Sequence, residues 1–178
     1  MQGFVLDCYP DYQKNVMVIW LKTKQGIKKI EASYHPSFYV SGSRNQLEQL
    51  QKTLSKKENI EQLSFTTKKT ELGNTSCQQV LSVTPHRLSD IQKLAQEIQQ
   101  QENYQKFSFY NVDLRLSTRY LQEQQIFFNA QVTWTGKQFR CTDDQWSVDY
   151  AFPPFSQMSF DLITNHTQAN KRTPVIKA

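Results

Sequence analysis

The chain has 178 residues, of which 38% are hydrophobic, 12% aromatic and 21% charged, so one ordinary domain can build a core and intrinsic disorder is excluded. A formal net charge of +5 is compatible with a polyanionic partner and equally with simple solubility. The longest apolar run, residues 16–21, is far shorter than the roughly 20 residues of a membrane-spanning helix. The first residues lack a basic segment followed by a long apolar one, which argues against a standard secretion signal.

The three cysteines, Cys8, Cys77 and Cys141, are odd in number and lie far apart in the sequence. Zinc sites and redox motifs use close cysteine pairs, which this chain lacks. We therefore expect reduced thiols in a cytoplasmic protein with no membrane partner.

The first forty residues carry short apolar or alternating runs separated by turn-forming residues. These runs predict the strands of an antiparallel meander, at residues 3–6, 16–21, 27–30 and 37–40. From Ser43 the apolar spacing changes to three and four residues. Ser43 is a suitable N-cap, and Gln46 stands at the capping-box position, so an amphipathic helix is predicted with a stripe of Leu47, Leu50 and Leu54.

Strand-like spacing returns at residues 60–67 and 77–83, before a second helix and another strand that begins at Phe107. The apolar stripe of that second helix is Leu88, Ile91, Leu94, Ala95 and Ile98. Residues 38–112 thus follow the order strand, helix, strand, strand, helix, strand, which predicts an α+β fold with a ferredoxin-like split βαβ core.

The remaining residues extend this core. A third helix is predicted at 117–125, and a β-hairpin at 127–140 turns near residues 135–136. Pro153 and Pro154 mark a linker before a last strand at 158–163.

Several kinds of catalytic motif are missing from the sequence. It contains no Walker loop, no G-x-G-x-x-G and no G-x-S-x-G, so nucleotide hydrolysis and serine hydrolase chemistry are not expected. The three histidines are dispersed, which disfavours a histidine metal site.

The most distinctive segment is residues 113–121, where two arginines four residues apart flank a predicted helix start. Arg115 and Arg119 are placed to meet an anion there, because unpaired backbone N–H groups at a helix start favour negative charge. The alternative is that both arginines pair with local carboxylates such as Asp113 and Glu123.

The same segment, with its Asp-x-Arg-x-x-x-Arg-Tyr-Leu pattern, resembles the stretch just before the exonuclease domain of family B DNA polymerases. Residues 3–6 and 18–21 resemble the opening strands of the bacterial polymerase II branch. Residues 149–161 are similar to the approach to the family's first exonuclease motif. The archaeal members share the style of the strand at 35–39 and the turn at 72–73, so they rank second in the resemblance.

The resemblance implies a polymerase N-terminal domain at 1–150, and a linker with the first exonuclease strand at 151–178. It implies nucleic-acid contact by Arg115, Arg119 and Tyr120, with template single-stranded DNA and the exonuclease and palm domains as partners. A vestigial base pocket would involve Pro36, Phe38 and Gln78, where the long Gln78 side chain would weaken uracil recognition.

One metal position of the family is altered in this chain. Asp161 matches the first carboxylate of the exonuclease motif, but Ile163 replaces the second, and isoleucine cannot bind a metal ion. No cofactor is expected in this chain, and Mg²⁺ is expected only for a full polymerase. The palm carboxylates have no counterpart here, so the chain alone is not expected to polymerise DNA.

Two other functions remain open. The split βαβ order is shared with RNA recognition motifs, which makes a stand-alone single-strand-binding module possible. Such modules stack bases on aromatic residues of their central strands; the strand at 77–84 has none, although Phe107 and Phe109 keep this possibility alive. The change at Ile163 instead favours an inactive polymerase paralogue that acts as a scaffold.

Overall fold

The computed structural model describes residues 1–69, 76–101 and 107–143. Within these ranges the chain forms two antiparallel sheets and three helices, which confirms the predicted α+β class. The elements in chain order are β1 (Gln2–Asp11), β2 (Val16–Thr23), β3 (Gly26–Ser33), β4 (Phe38–Ser41), α1 (Arg44–Leu54), β5 (Ile60–Lys68), β6 (Gln78–Pro85), α2 (Asp90–Gln101), β7 (Ser108–Tyr110), α3 (Leu116–Glu123), β8 (Gln131–Trp134) and β9 (Phe139–Cys141).

The first sheet has five strands in the order β3-β2-β1-β8-β9. Three of the four predicted meander strands form β1 to β3, and the predicted hairpin forms β8 and β9. The fourth meander strand, predicted at 37–40, is instead β4 of the other sheet, where it pairs with β6 and β7. The two are not separate extensions of the core, because β8 pairs with β1 and the Cα partner of Phe4 is Gln131. One face of this sheet is packed with alternating apolar residues such as Met17, Ile19 and Leu21.

The second sheet has four strands in the order β5-β6-β4-β7. Two split βαβ crossovers through α1 and α2 produce this order, so the ferredoxin-like topology is confirmed. Phe38 and Val40 of β4 are completely buried with the apolar stripes of both helices. The opposite face of this sheet, called the open face below, carries the alternate residues of each strand.

The helix signals were accurate for the start of α1 and less accurate for the bounds of α2 and α3. At the start of α1 the side-chain oxygen of Gln46 accepts hydrogen bonds from the Ser43 N–H at 3.0 Å and from the Ser43 hydroxyl at 2.7 Å. Leu88 does not belong to the α2 stripe, since it lies before the helix and packs in the core of the five-stranded sheet. Helix α3 ends at Glu123 because Gln125 adopts a left-handed φ of 55°, which terminates the helix.

Several predictions fall outside the described residues. The linker at Pro153 and Pro154, the last strand at 158–163, the domain boundary at 150 and the positions Asp161 and Ile163 all lie there. None of the three helices in the described ranges is long and apolar enough to cross a membrane.

The buried thiol of Cys8 makes the stability of the fold depend on pH. The three cysteines are free thiols, and Cys8 is only 4% exposed in the core of the five-stranded sheet. Burial, aided by the negative charge of Asp7, raises the pKa of Cys8 from 9.0 to about 12. The folded thiol therefore keeps its proton in a range where the unfolded thiol has lost it.

We expect a stabilising contribution of this thiol that is complete below pH 9.0 and is lost as the pH rises towards about 12. Between about pH 8 and about pH 10, the free energy of unfolding should fall by about 1 kcal/mol more in the wild type than in Cys8→Ala. Urea unfolding of both proteins at the two pH values measures this. Equal losses in the wild type and the variant would contradict it.

Candidate nucleic-acid interface

A cleft lies between the open face of the four-stranded sheet and α3. Its volume is about 390 Å³, within the range of about 300–1,000 Å³ typical of ligand sites. All four strands of this sheet, the segment after β7, and α3 contribute residues to it. The lining residues are Tyr39, Lys68, Lys69, Val80, Tyr110, Asn111, Leu114, Arg119, Gln122 and Glu123. We refer to it as the open-face cleft.

Two tyrosines stand side by side in this cleft. Tyr39 of β4 and Tyr110 of β7 are Cα partners in the antiparallel ladder, so their side chains share one face of the sheet. Their neighbours Phe38 and Phe109 alternate to the helix side, where their rings stack with centroids 6.5 Å apart. Both tyrosines are half-buried, which leaves part of each ring accessible.

Positive charge borders the tyrosines. The Lys68 ammonium lies 5.1 Å from the centroid of the Tyr39 ring, a cation–π geometry, and Lys69 beside it is exposed. Lysines beside aromatic rings form the combination that single-stranded nucleic acids require, because the cations follow phosphates while the rings accept stacked bases.

Arg119 is the buried cation of the cleft. Its side chain is only 6% exposed, and its Nε donates a hydrogen bond of 2.8 Å to Glu123, one helical turn further along α3. Its Nη1 is buried and makes no hydrogen bond to any other residue that the structure describes. A buried donor without a partner costs about 1–3 kcal/mol of folding stability.

The other two residues predicted to contact DNA occupy different environments. Tyr120 is 3% exposed and packs edge to face on Tyr34 with centroids 5.1 Å apart, and burial raises the pKa of Tyr120 to about 12. Arg115 is exposed and occupies the N-cap position of α3. The Arg119–Glu123 pair and the burial of Tyr120 favour the alternative in which these residues stabilise the fold. DNA contact by Arg115, Arg119 and Tyr120 stays a prediction.

The structure places the residues of the predicted base pocket, Pro36, Phe38 and Gln78, in different environments. Phe38 and Pro36 are buried, and the Cα partner of Phe38 is Val83, five residues beyond Gln78 along β6 or about 17 Å. Gln78 is exposed at the far end of β6 opposite Lys68. Phe38 and Gln78 therefore line no common recess, and the expectation of weak uracil recognition stays untested.

Strand alternation explains which residues the sequence reasoning missed. Phe107 and Phe109, which kept the RNA-recognition alternative open, pack against the helix-side core. Tyr39 and Tyr110 take their place on the open face. The sequence contained the signal for these two tyrosines. Each directly follows a phenylalanine in a strand, and because side chains alternate between faces, a phenylalanine in the core puts the next residue on the opposite face.

A second cavity of about 380 Å³ adjoins the open-face cleft. Asn111 and Leu114 line both, and Leu114 is 47% exposed. The second cavity is also lined by Tyr12, which is 54% exposed, and by Arg115. The two cavities therefore share a border at Asn111 and Leu114, and we refer to them together as the groove.

Comparison with solved structures gives a similarity over most of the chain. No family model matches the sequence, and no curated protein matches it. Among solved structures, the chain is similar to the family B DNA polymerase from the hyperthermophilic archaeon Pyrobaculum calidifontis, with a TM-score of 0.60 and 16% sequence identity. The match covers 86% of this chain and 21% of the polymerase chain.

At this identity the similarity establishes a shared fold. The polymerase in this match is a family B member, and family B is also the family that residues 113–121 resemble. The chain corresponds to about one-fifth of the polymerase chain it matches. Within the described ranges, no group of three or more His, Cys, Asp or Glu residues is placed to hold a metal ion.

Proposed function

We propose that this chain is the non-catalytic N-terminal domain of a family B DNA polymerase, and that it holds single-stranded template DNA in the open-face cleft. The observation that carries the proposal is the fold match to a family B polymerase over 86% of the chain. The bacterial polymerase II branch is favoured by residues 3–6 and 18–21, and the archaeal branch by the structural match.

The chemistry of the cleft supports contact with a single strand. Tyr39 and Tyr110 provide rings for unpaired bases, and Lys68 and Lys69 provide charge for phosphates. A duplex keeps its bases stacked on each other, so the rings would select a single strand.

The groove indicates the direction in which the strand would leave the cleft. It would pass the exposed Leu114 towards Tyr12 and Arg115, so Arg115 would contact the strand at a different nucleotide from Arg119. Tyr120 would act only by holding α3 in place from the core. The chain would work in the cytoplasm beside exonuclease and palm domains, and Mg²⁺ would be needed by those domains.

The salt dependence of single-strand binding tests this proposal. If four phosphates are neutralised, log K should fall with log salt concentration with a slope of about −2.8, since each phosphate contributes about 0.7 for single strands. Fluorescence anisotropy of a labelled oligothymidylate measures it, with duplex DNA of equal length as the comparison. No binding at low salt, or a slope near zero, would contradict the proposed contact with single-stranded DNA and would leave only the fold match in place.

A stand-alone single-strand-binding module is the second candidate. The pair of tyrosines on the open face of a ferredoxin-like sheet favours it, because base-stacking modules of this topology use that face. The two candidates differ in whether the domain functions within a longer polymerase chain. The mass of the native protein, detected with an antibody to this chain, distinguishes them: 20.9 kDa supports the module and a several-fold larger mass supports the polymerase.

A further inference from the structure

A separate cavity of about 490 Å³ lies at one end of the five-stranded sheet, beside the turn that joins β2 to β3. Its volume is in the range of about 300–1,000 Å³ that small-molecule sites occupy. The side chains that matter for its chemistry are Gln2, Phe4, Lys22, Lys24, Gln25 and Gln131. We call it the hairpin cavity.

The register of the sheet arranges three of these residues in a row. Phe4 is the Cα partner of both Lys22 and Gln131, so the ring lies between a lysine and an amide on adjacent strands. Residues opposite each other in an antiparallel ladder have Cβ atoms about 4.5–5.5 Å apart. Their neighbours Val5 and Leu21 point into the core, so the row faces outward and Phe4 is only half-buried.

The turn between β2 and β3 holds the other side of the cavity. The Thr23 hydroxyl donates to the Gly26 carbonyl oxygen at 2.7 Å and accepts from the Gln25 N–H at 3.2 Å. Gly26 has a φ of 110°, which residues with a side chain rarely adopt. The turn is thus fixed by its own bonds, and it presents Lys24 and Gln25 next to the row.

The charged side chains in the lining of the hairpin cavity are basic as far as the structure describes it. Among the described residues, the lining includes two lysines and no aspartate or glutamate, and the nearby Asp143 carboxylate accepts a hydrogen bond from the Gln131 N–H. An aromatic ring between two lysines and three amides suits a ligand with a planar polar ring and an anionic group, because an amide both donates and accepts hydrogen bonds. A simple anion would use the lysines alone and leave the ring and amides without a role.

We propose that the hairpin cavity binds a nucleoside phosphate, with the base on the Phe4 ring and the phosphate at Lys22 and Lys24. The ligand is either a free mononucleotide or the phosphorylated end of a strand, since the two share this chemistry. The site is separate from the open-face cleft and does not depend on the function proposed for that cleft.

Calorimetric titration of the whole chain with thymidine 5′-monophosphate, thymidine and inorganic phosphate tests the site. The monophosphate should bind about tenfold tighter than either part alone, because it meets the ring and the lysines together. Phe4→Leu and Lys24→Gln should each weaken its binding about fivefold or more. Lys24 lies in an exposed turn, so that variant remains informative even if Phe4→Leu does not fold.

Lys28→Gln is the matched control. It removes the same charge from the same hairpin, but Lys28 pairs with the core residue Leu21 and does not line the cavity. We expect it to change the affinity less than about twofold. An equal loss in Lys28→Gln and Lys24→Gln, or a monophosphate that binds no tighter than phosphate, would overturn the proposal.

The two sources of the ligand are separated with tetrathymidylates that carry a 5′-phosphate or a 5′-hydroxyl group. Tighter binding of the phosphorylated strand than of the monophosphate, abolished by Lys24→Gln, identifies a strand end. Equal affinity of the monophosphate and the phosphorylated strand identifies a free nucleotide. A monophosphate affinity that falls in Tyr110→Ala and stays unchanged in Lys24→Gln would place the ligand in the open-face cleft and overturn the proposal.

Discussion

Replacement of Phe38 by alanine is expected to lower the free energy of unfolding by about 4 kcal/mol, the typical cost of a fully buried phenylalanine. Phe38 is 0% exposed and stacks on Phe109 beneath α1 and α2, so its loss leaves a cavity that rigid neighbours cannot fill. Because this ring lies on the helix side of the sheet, single-strand binding by the folded protein should not change.

Urea unfolding measures the stability of this variant. The oligothymidylate affinities of the variant and the wild type are then compared without urea, at a temperature at which the variant is folded. Phe38→Leu provides the same test with a smaller cavity, should Phe38→Ala fail to fold. A variant that keeps its stability and loses single-strand binding would show that Phe38 lies in a base pocket after all.

Replacement of Tyr110 by alanine is expected to weaken single-strand binding about tenfold, because stacking of one base on an aromatic ring contributes about 1–3 kcal/mol. Tyr110 is half-buried at the end of β7, and its ring shares the cleft with Tyr39. Tyr110→Phe keeps the ring and should retain most of the affinity. Fluorescence anisotropy with a labelled oligothymidylate measures both variants.

Tyr9→Ala is the matched control for this experiment. Tyr9 is 40% exposed, but it lies on β1 in the other sheet, where its hydroxyl accepts a hydrogen bond from Trp20, and it does not line the cleft. We expect its affinity to stay within about twofold of the wild type. Equal losses in Tyr9→Ala and Tyr110→Ala would mean that binding does not depend on the cleft.

Local signals in the sequence were sufficient for the ferredoxin-like core. Ser43 with Gln46 marked the start of α1, and the leucine spacing behind them gave its buried face. The order of strands and helices in residues 38–112 is typical of one common topology, the ferredoxin-like sheet. These features depend on residues a few positions apart, which is why a single sequence contains them.

The five-stranded sheet could not be predicted in the same way. Pairing of Phe4 with Gln131 joins residues from opposite ends of the described chain, and no local pattern specifies which distant edge a strand will meet. The hairpin cavity depends on this pairing, because Gln131 forms one side of it. Both the sheet and the cavity therefore became visible only in the structure.

The candidate site was partly predictable. The segment around Arg119 was identified from its spacing, but the spacing did not show that the side chain would be buried against Glu123 with one donor unpartnered. Spacing alone did not show that alternation along β4 sends Phe38 to the helix-side core and Tyr39 to the cleft, so base binding by Pro36, Phe38 and Gln78 stays a prediction.

Photo-crosslinking of the protein to a single strand that carries 5-iodouracil tests the central claim most directly. Peptide mapping by mass spectrometry then identifies the residues that touch the base. We expect crosslinks to Tyr39 and Tyr110, which line the cleft and lie on the open face. Crosslinks confined to residues outside the open-face cleft and its groove would contradict the claim that this face holds single-stranded DNA.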